Sequence, residues 1–113
     1  MTNSSVFNTQ AANVPSLIAG NGSSGVTVLA SNPARIGFMI QNVGTTAASI
    51  LIDGNQRGNS ASSTVFHAVL KGGSTNNDGL GGSLTMNSGA VPTGAITMYG
   101  ASTAIVTALE IAE

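Results

Sequence analysis

Asn32-Pro33-Ala34-Arg35-Ile36-Gly37-Phe38-Met39-Ile40-Gln41-Asn42-Val43-Gly44 is the stretch on which the reading of the fold turns. Proline fixes φ and has no backbone N–H to donate, so Pro33 closes one element before the next begins. From Arg35 to Gln41 the residues alternate as a strand does, with side chains pointing to opposite faces in turn. Ile36, Phe38 and Ile40 then share one side, which is the expected core face.

Outward from this run, short β-rich segments alternate with Gly, Asn and Ser at the spacing of a sandwich or barrel. The expected strands are residues 14–19, 26–30, 35–43, 49–53, 64–70, 82–86, 95–100 and 105–111. In the last of these, Ile105, Leu109 and Ile111 share a face with Thr107, and Val106, Ala108 and Glu110 share the other, so Glu110 is expected to point outward. Asn21-Gly22, Asp53-Gly54 and Asp78-Gly79 supply turns, since these residues tolerate positive φ. No segment of useful length has helical periodicity and caps, and 15 glycines argue against helices. The expected architecture is an all-β antiparallel β-sandwich, jelly-roll or Ig-like, with about seven or eight strands. Residues 14–113 form its single domain. Residues 1–13, rich in Asn, Ser, Thr, Gln and Ala, read as an extended N-terminal arm whose apolar anchors are Val6 and Phe7.

The composition sets limits on function. Of 113 residues 42% are hydrophobic, which suits one folded core. Only 6% are charged, against about 25% in an ordinary soluble domain. A net charge of −1 offers no basic stripe for nucleic acid and no polybasic patch for a membrane. Interfaces are depleted in charge relative to other surface, so such a chain reads as a subunit made for assembly, a homo-oligomer. There is no cysteine for a disulfide, a thiolate metal site or a nucleophile. The first ten residues lack the basic start and apolar core of an export signal, and folding in a cytoplasm is expected.

The order Asn32-Pro33-Ala34-Arg35-Ile36-Gly37, Ile40-Gln41-Asn42, Leu70-Lys71-Gly72-Gly73 and Asp78-Gly79-Leu80-Gly81-Gly82, closed by a strand from Gly100 to Glu110, resembles small structural proteins of tailed bacteriophages. The likeness covers roughly residues 25 to 112. It implies a β-sandwich virion protein of the capsid decoration or cement type, made in the host bacterial cytoplasm and bound to the major capsid protein on the capsid exterior, as a homo-oligomer such as a trimer. The loop from Gly54 to Ser63 and the turn around Ala90–Gly94 depart from that pattern. Alternatives are a tail, fibre, baseplate or head–tail component, or a glycan-binding β-sandwich module; the 4% aromatic content counts against the last.

No residue set reads as an active site. His67 is the one histidine, and without a Gly-x-Ser-x-Gly elbow or similar context it reads as a strand histidine bonded to backbone. Asn76-Asn77-Asp78-Gly79 holds one carboxylate, too few for a calcium loop, and reads as a turn. The glycines at Gly72-Gly73 and at Gly79, Gly81 and Gly82 lack the lysine and following helix of a phosphate cradle. Asp53, Asp78, Glu110 and Glu113 fall on turns or an edge, which does not suggest a glycosidase pair. Neither an enzyme nor a cofactor is expected. The candidate interface residues are Val6, Phe7, Arg35 and Tyr99. Arg35 reads as an interface ion pair, as a cation stacked on an aromatic ring, or as a solvated charge at a strand start, and Tyr99 as a single aromatic anchor.

Overall fold

The computed structural model describes residues 10–53 and 59–113. Among them lie nine strands and no helix: β1 (Ala11–Ala12), β2 (Ile18–Ala19), β3 (Val26–Leu29), β4 (Arg35–Asn42), β5 (Ala48–Ile52), β6 (Ala68–Leu70), β7 (Ser83–Met86), β8 (Ile96–Tyr99) and β9 (Ile105–Ala112). They form two antiparallel sheets packed as a sandwich. Sheet A has the order β1-β9-β4-β7, with β2 also on β9, and sheet B has the order β3-β8-β5-β6.

The core lies between the sheets. Phe38 and Ile40 of β4 with Val106 and Ala108 of β9 face Ala48 and Ile50 of β5, Leu70 of β6, and Ile96 and Met98 of β8. Burying side chains of this size contributes roughly 1.5–3 kcal/mol each. The alternation in β4 places Phe38 and Ile40 as expected. Ile36 does not join them: the register with β9 shifts between Arg35 and Gly37, and this irregularity brings Arg35 to the buried side.

β9 is turned the other way from its sequence reading. Val106 and Ala108 face sheet B, and Ile105, Thr107, Leu109 and Ile111 line the outer face, half-buried. Glu110 therefore shares the inward face. Both faces of the strand are apolar, so composition could not say which one the second sheet would cover.

The N-terminal region differs as well. Ala11 and Ala12, inside the expected arm, pair with Ala112 and Ile111, and the next strand residues, Ile18 and Ala19, pair with Val106 and Ile105. Between them Asn13 holds the chain to β9 with three bonds: its N–H donates to the Glu110 carbonyl, its Oδ1 accepts from the Glu110 N–H, and its Nδ2 donates to the Ala108 carbonyl. Val14 to Leu17 then leave the edge exposed. The expected strand at residues 64–70 shortens to β6 because Ser62 turns the chain, its Oγ accepting from Thr64 and Val65 N–H groups.

The turns follow the expected residues. Gly22 and Gly79 take φ of +77°, and Asn77, which accepts the left-handed region better than most residues, takes +61°. Gly44 is needed for closeness: a Cβ there would collide with the Thr103 carbonyl oxygen. The Asp53-Gly54 turn lies partly outside the described residues.

Candidate functional site

Arg35 sits at one end of the sandwich, where its side chain is fully enclosed. Nε donates to Glu110 Oε2 at 2.8 Å, Nη1 to the carbonyls of Pro92 and Gly94, and Nη2 to the carbonyl of Ala30. Glu110, with 17% of its side chain exposed, also accepts from Asn32 Nδ2. Arg35 is therefore neither the interface residue nor the solvated strand-start charge that its sequence position allowed: its ion pair is internal to the chain. Ala30 follows β3, and Pro92 and Gly94 precede β8, so one guanidinium ties the end of sheet A to the end of sheet B. Its rigid fork of five donors suits that task, which a lysine could not perform.

The other candidates are dispersed. Tyr99 lies on the outer face of sheet B, half-buried, its hydroxyl donating to the Gly22 carbonyl. Val6 and Phe7 lie outside the described residues. His67 is exposed just before β6; its Nδ1 accepts from the Ile52 N–H and its own N–H donates to the Ile50 carbonyl. The Asp78 carboxylate accepts from the N–H groups of Ser74, Thr75 and Leu80, and these bonds, those from Thr75 and Leu80 foremost, hold its pKa below the ordinary aspartate value. It organises the 73–80 loop from within.

Among the described residues no buried side-chain nitrogen or oxygen lacks a hydrogen-bond partner, and no three His, Asp or Glu side chains meet as metal ligands do. The polar interior is closed on itself. Asn42 in β4 illustrates this: it is buried, gives Nδ2 to the carbonyls of Thr46 and Leu70, and takes the Gly44 N–H on Oδ1.

The surface is correspondingly bare of charge. Of the seven charged residues, Arg57 lies outside the described ones, Arg35 and Glu110 pair, Asp78 is bonded to three amides and Asp53 is buried, leaving Lys71 and Glu113 exposed. Exposed large apolar residues are more numerous: Val14, Leu17, Val65, Phe66, Val69 and Leu80. On the outer face of sheet A a depression of about 220 Å³ opens between Pro15, Met39 and Leu109, with Asn13 and Thr107 at its side. Sequence reading missed this feature; the signal for it was the second apolar face of β9, taken there for the core. Compared with protein-family models, with curated proteins and with solved structures, the chain matches none.

Proposed function

We propose that this chain is a non-enzymatic structural subunit of a repeating protein assembly, and specifically a capsid decoration protein of the tailed-phage type that bridges neighbouring capsid subunits. The observation that carries the reading is the distribution of charge. Of the six described charged residues Arg35, Glu110 and Asp53 are held inside the fold and Asp78 is bonded to the amides of its own surface loop, so the surface meets a partner mostly through Ser, Thr, Asn and apolar side chains. Such a surface requires little desolvation of charge on docking, and near-zero net charge favours association. On a shell each weak contact is repeated many times, and a protein that binds only the assembled shell stabilises it by mass action. The resemblance of residues 25 to 112 supports the same reading.

The test is co-sedimentation of the purified chain with shells that lack it, across about 0.05 to 0.5 M salt, a range over which screening shortens sharply. Saturable binding with little salt dependence is expected. Folded protein that fails to bind, or binding that collapses as salt rises, would refute the proposal.

A further inference from the structure

Asn21-Gly22 is the single Asn-Gly pair in the sequence. In such a pair the second residue has no Cβ to shield its backbone nitrogen, which can therefore approach and attack the asparagine carboxamide. The turn that holds the pair, residues 20–25, carries the chain from β2 in sheet A to β3 in sheet B. It is seated on the connection that returns from β8 to β9. Gly20 N–H donates to the Ala104 carbonyl at 2.9 Å, Gly22 N–H to the Gly100 carbonyl at 2.8 Å, and the Tyr99 hydroxyl to the Gly22 carbonyl at 3.2 Å. The backbones lie so close that a Cβ on Gly20 would collide with the carbonyl oxygens of Gly100 and Ala101. Asn21 to Ser24 are nevertheless exposed, so water reaches the carboxamide. Its Oδ1 accepts from the N–H groups of Ser23 and Ser24, both at 2.9 Å, and its Nδ2 donates to Ser24 Oγ. Charge developing on Oδ1 during attack at Cγ would meet those two N–H groups, which is the arrangement of an oxyanion hole. The electrophile is prepared while the nucleophile, the Gly22 nitrogen, is withheld by Gly100.

We infer that Asn21 is a modification site, a deamidation site gated by the seating of its turn on Gly100. In the closed turn the Gly22 N–H is committed to a carbonyl and its nitrogen is held away from attack. Local opening of the turn frees it. The Gly22 nitrogen then gives its proton to a base and attacks Cγ of Asn21. An N–C bond forms, the Cγ–Nδ2 bond breaks, and ammonia leaves with a proton returned from the base. Water opens the resulting five-membered imide at either of its carbonyls, giving aspartate or isoaspartate. One water is consumed and one ammonia released, and nothing is oxidised or reduced. Isoaspartate lengthens the main chain by one methylene between two residues, Gly20 and Gly22, that are each bonded to the β8–β9 connection. With no slack at Gly20, the longer backbone cannot restore both bonds. The reaction thus turns a transient opening into a permanent one and adds a negative charge to a chain whose net charge is −1.

Peptide mapping by mass spectrometry of the full chain, incubated at neutral pH, tests this together with hydrogen exchange at the Gly22 amide. Asn21 is expected to convert at least tenfold more slowly in the folded chain than in the same chain unfolded in guanidinium. Tyr99→Phe keeps the ring and removes one of the bonds that seat the turn. It should raise Gly22 exchange and Asn21 conversion by the same factor, at least threefold, because one opening admits both. The isoaspartate product, separated by ion exchange, should melt below the parent. Asn21→Asp carries the same added charge on a backbone of ordinary length and should keep close to the parent melting curve, which separates the effect of the methylene from that of the charge. Equal rates in the folded and unfolded chain would overturn the inference. So would an Asn21 rate in Tyr99→Phe that fails to rise with Gly22 exchange, or an isoaspartate product that melts with the parent.

Discussion

Replacing Arg35 with methionine deletes four hydrogen bonds at one point: one to Glu110 and three to the carbonyls of Ala30, Pro92 and Gly94. Removing one partner of a buried pair typically costs about 3–5 kcal/mol, because the other charge and its acceptors are left uncompensated. Glu110 keeps some solvent, which limits the penalty on its side, whereas the guanidinium is wholly enclosed and its carbonyl partners lose their donor. An unfolding entropy of about 2.1 cal/mol/K per residue gives about 0.24 kcal/mol/K for 113 residues, so the expected fall in melting temperature is roughly 13–20 °C. Arg35→Met and Glu110→Leu together test where the energy resides. Apolar replacement of a buried pair is often nearly neutral, but here three carbonyls would still lack a donor, so the double variant should recover less than half of the loss. Urea unfolding with linear extrapolation reads both quantities. A loss below about 1 kcal/mol for Arg35→Met, the worth of an exposed pair, would refute the buried clamp.

Asn42→Asp puts a carboxylate against the Thr46 and Leu70 carbonyls and should cost more than Asn42→Ala, itself about 2–3 kcal/mol from unsatisfied buried groups, both read in urea. Gly44→Ala drives a methyl into the Thr103 carbonyl and should lower the melting temperature, whereas Gly22→Ala, in open space but at positive φ, should cost only about 1–2 kcal/mol. Because the folded pKa of Asp78 is depressed, its contribution is complete above the ordinary aspartate value and is lost as pH falls through the lower folded value. Amide exchange at Ser74, Thr75 and Leu80 should therefore accelerate over that acid window, and in Asp78→Asn the pH-dependent part of the change should vanish.

Much of the architecture was legible because turn residues mark where strands stop. Pro33, Gly22 and Gly79 bracket segments whose observed bounds fall close to the expected ones. Face assignment was legible only where one side of a strand is polar. β4 has Gln41 and Arg35 to break its symmetry, and even there the bulge beside Gly37 moved Arg35 inward, a shift that no local propensity encodes. β9 has apolar residues on both sides and one carboxylate, and treating Glu110 as a surface charge inverted it. Its partner lay 75 residues away in sequence, out of reach of any pattern confined to one strand. Val14 and Leu17 were assigned to a strand on composition, yet Asn13 ends the pairing there by placing its own side chain where backbone would otherwise bond.

The position of β9 in the middle of sheet A governs when that sheet can exist during synthesis. β1, β2 and β4 all emerge from the ribosome before the strand that joins them, and Asn13 waits 97 residues for Glu110. At about 5–20 residues per second that is a delay of roughly 5–20 s, during which the nascent chain shows β4 without its central neighbour. Sheet A therefore cannot be completed until its last strand is made, although β4 can pair with β7 before then. A ribosomal pause placed just before residue 105 would lengthen the exposed interval, and the yield of folded protein should fall with it.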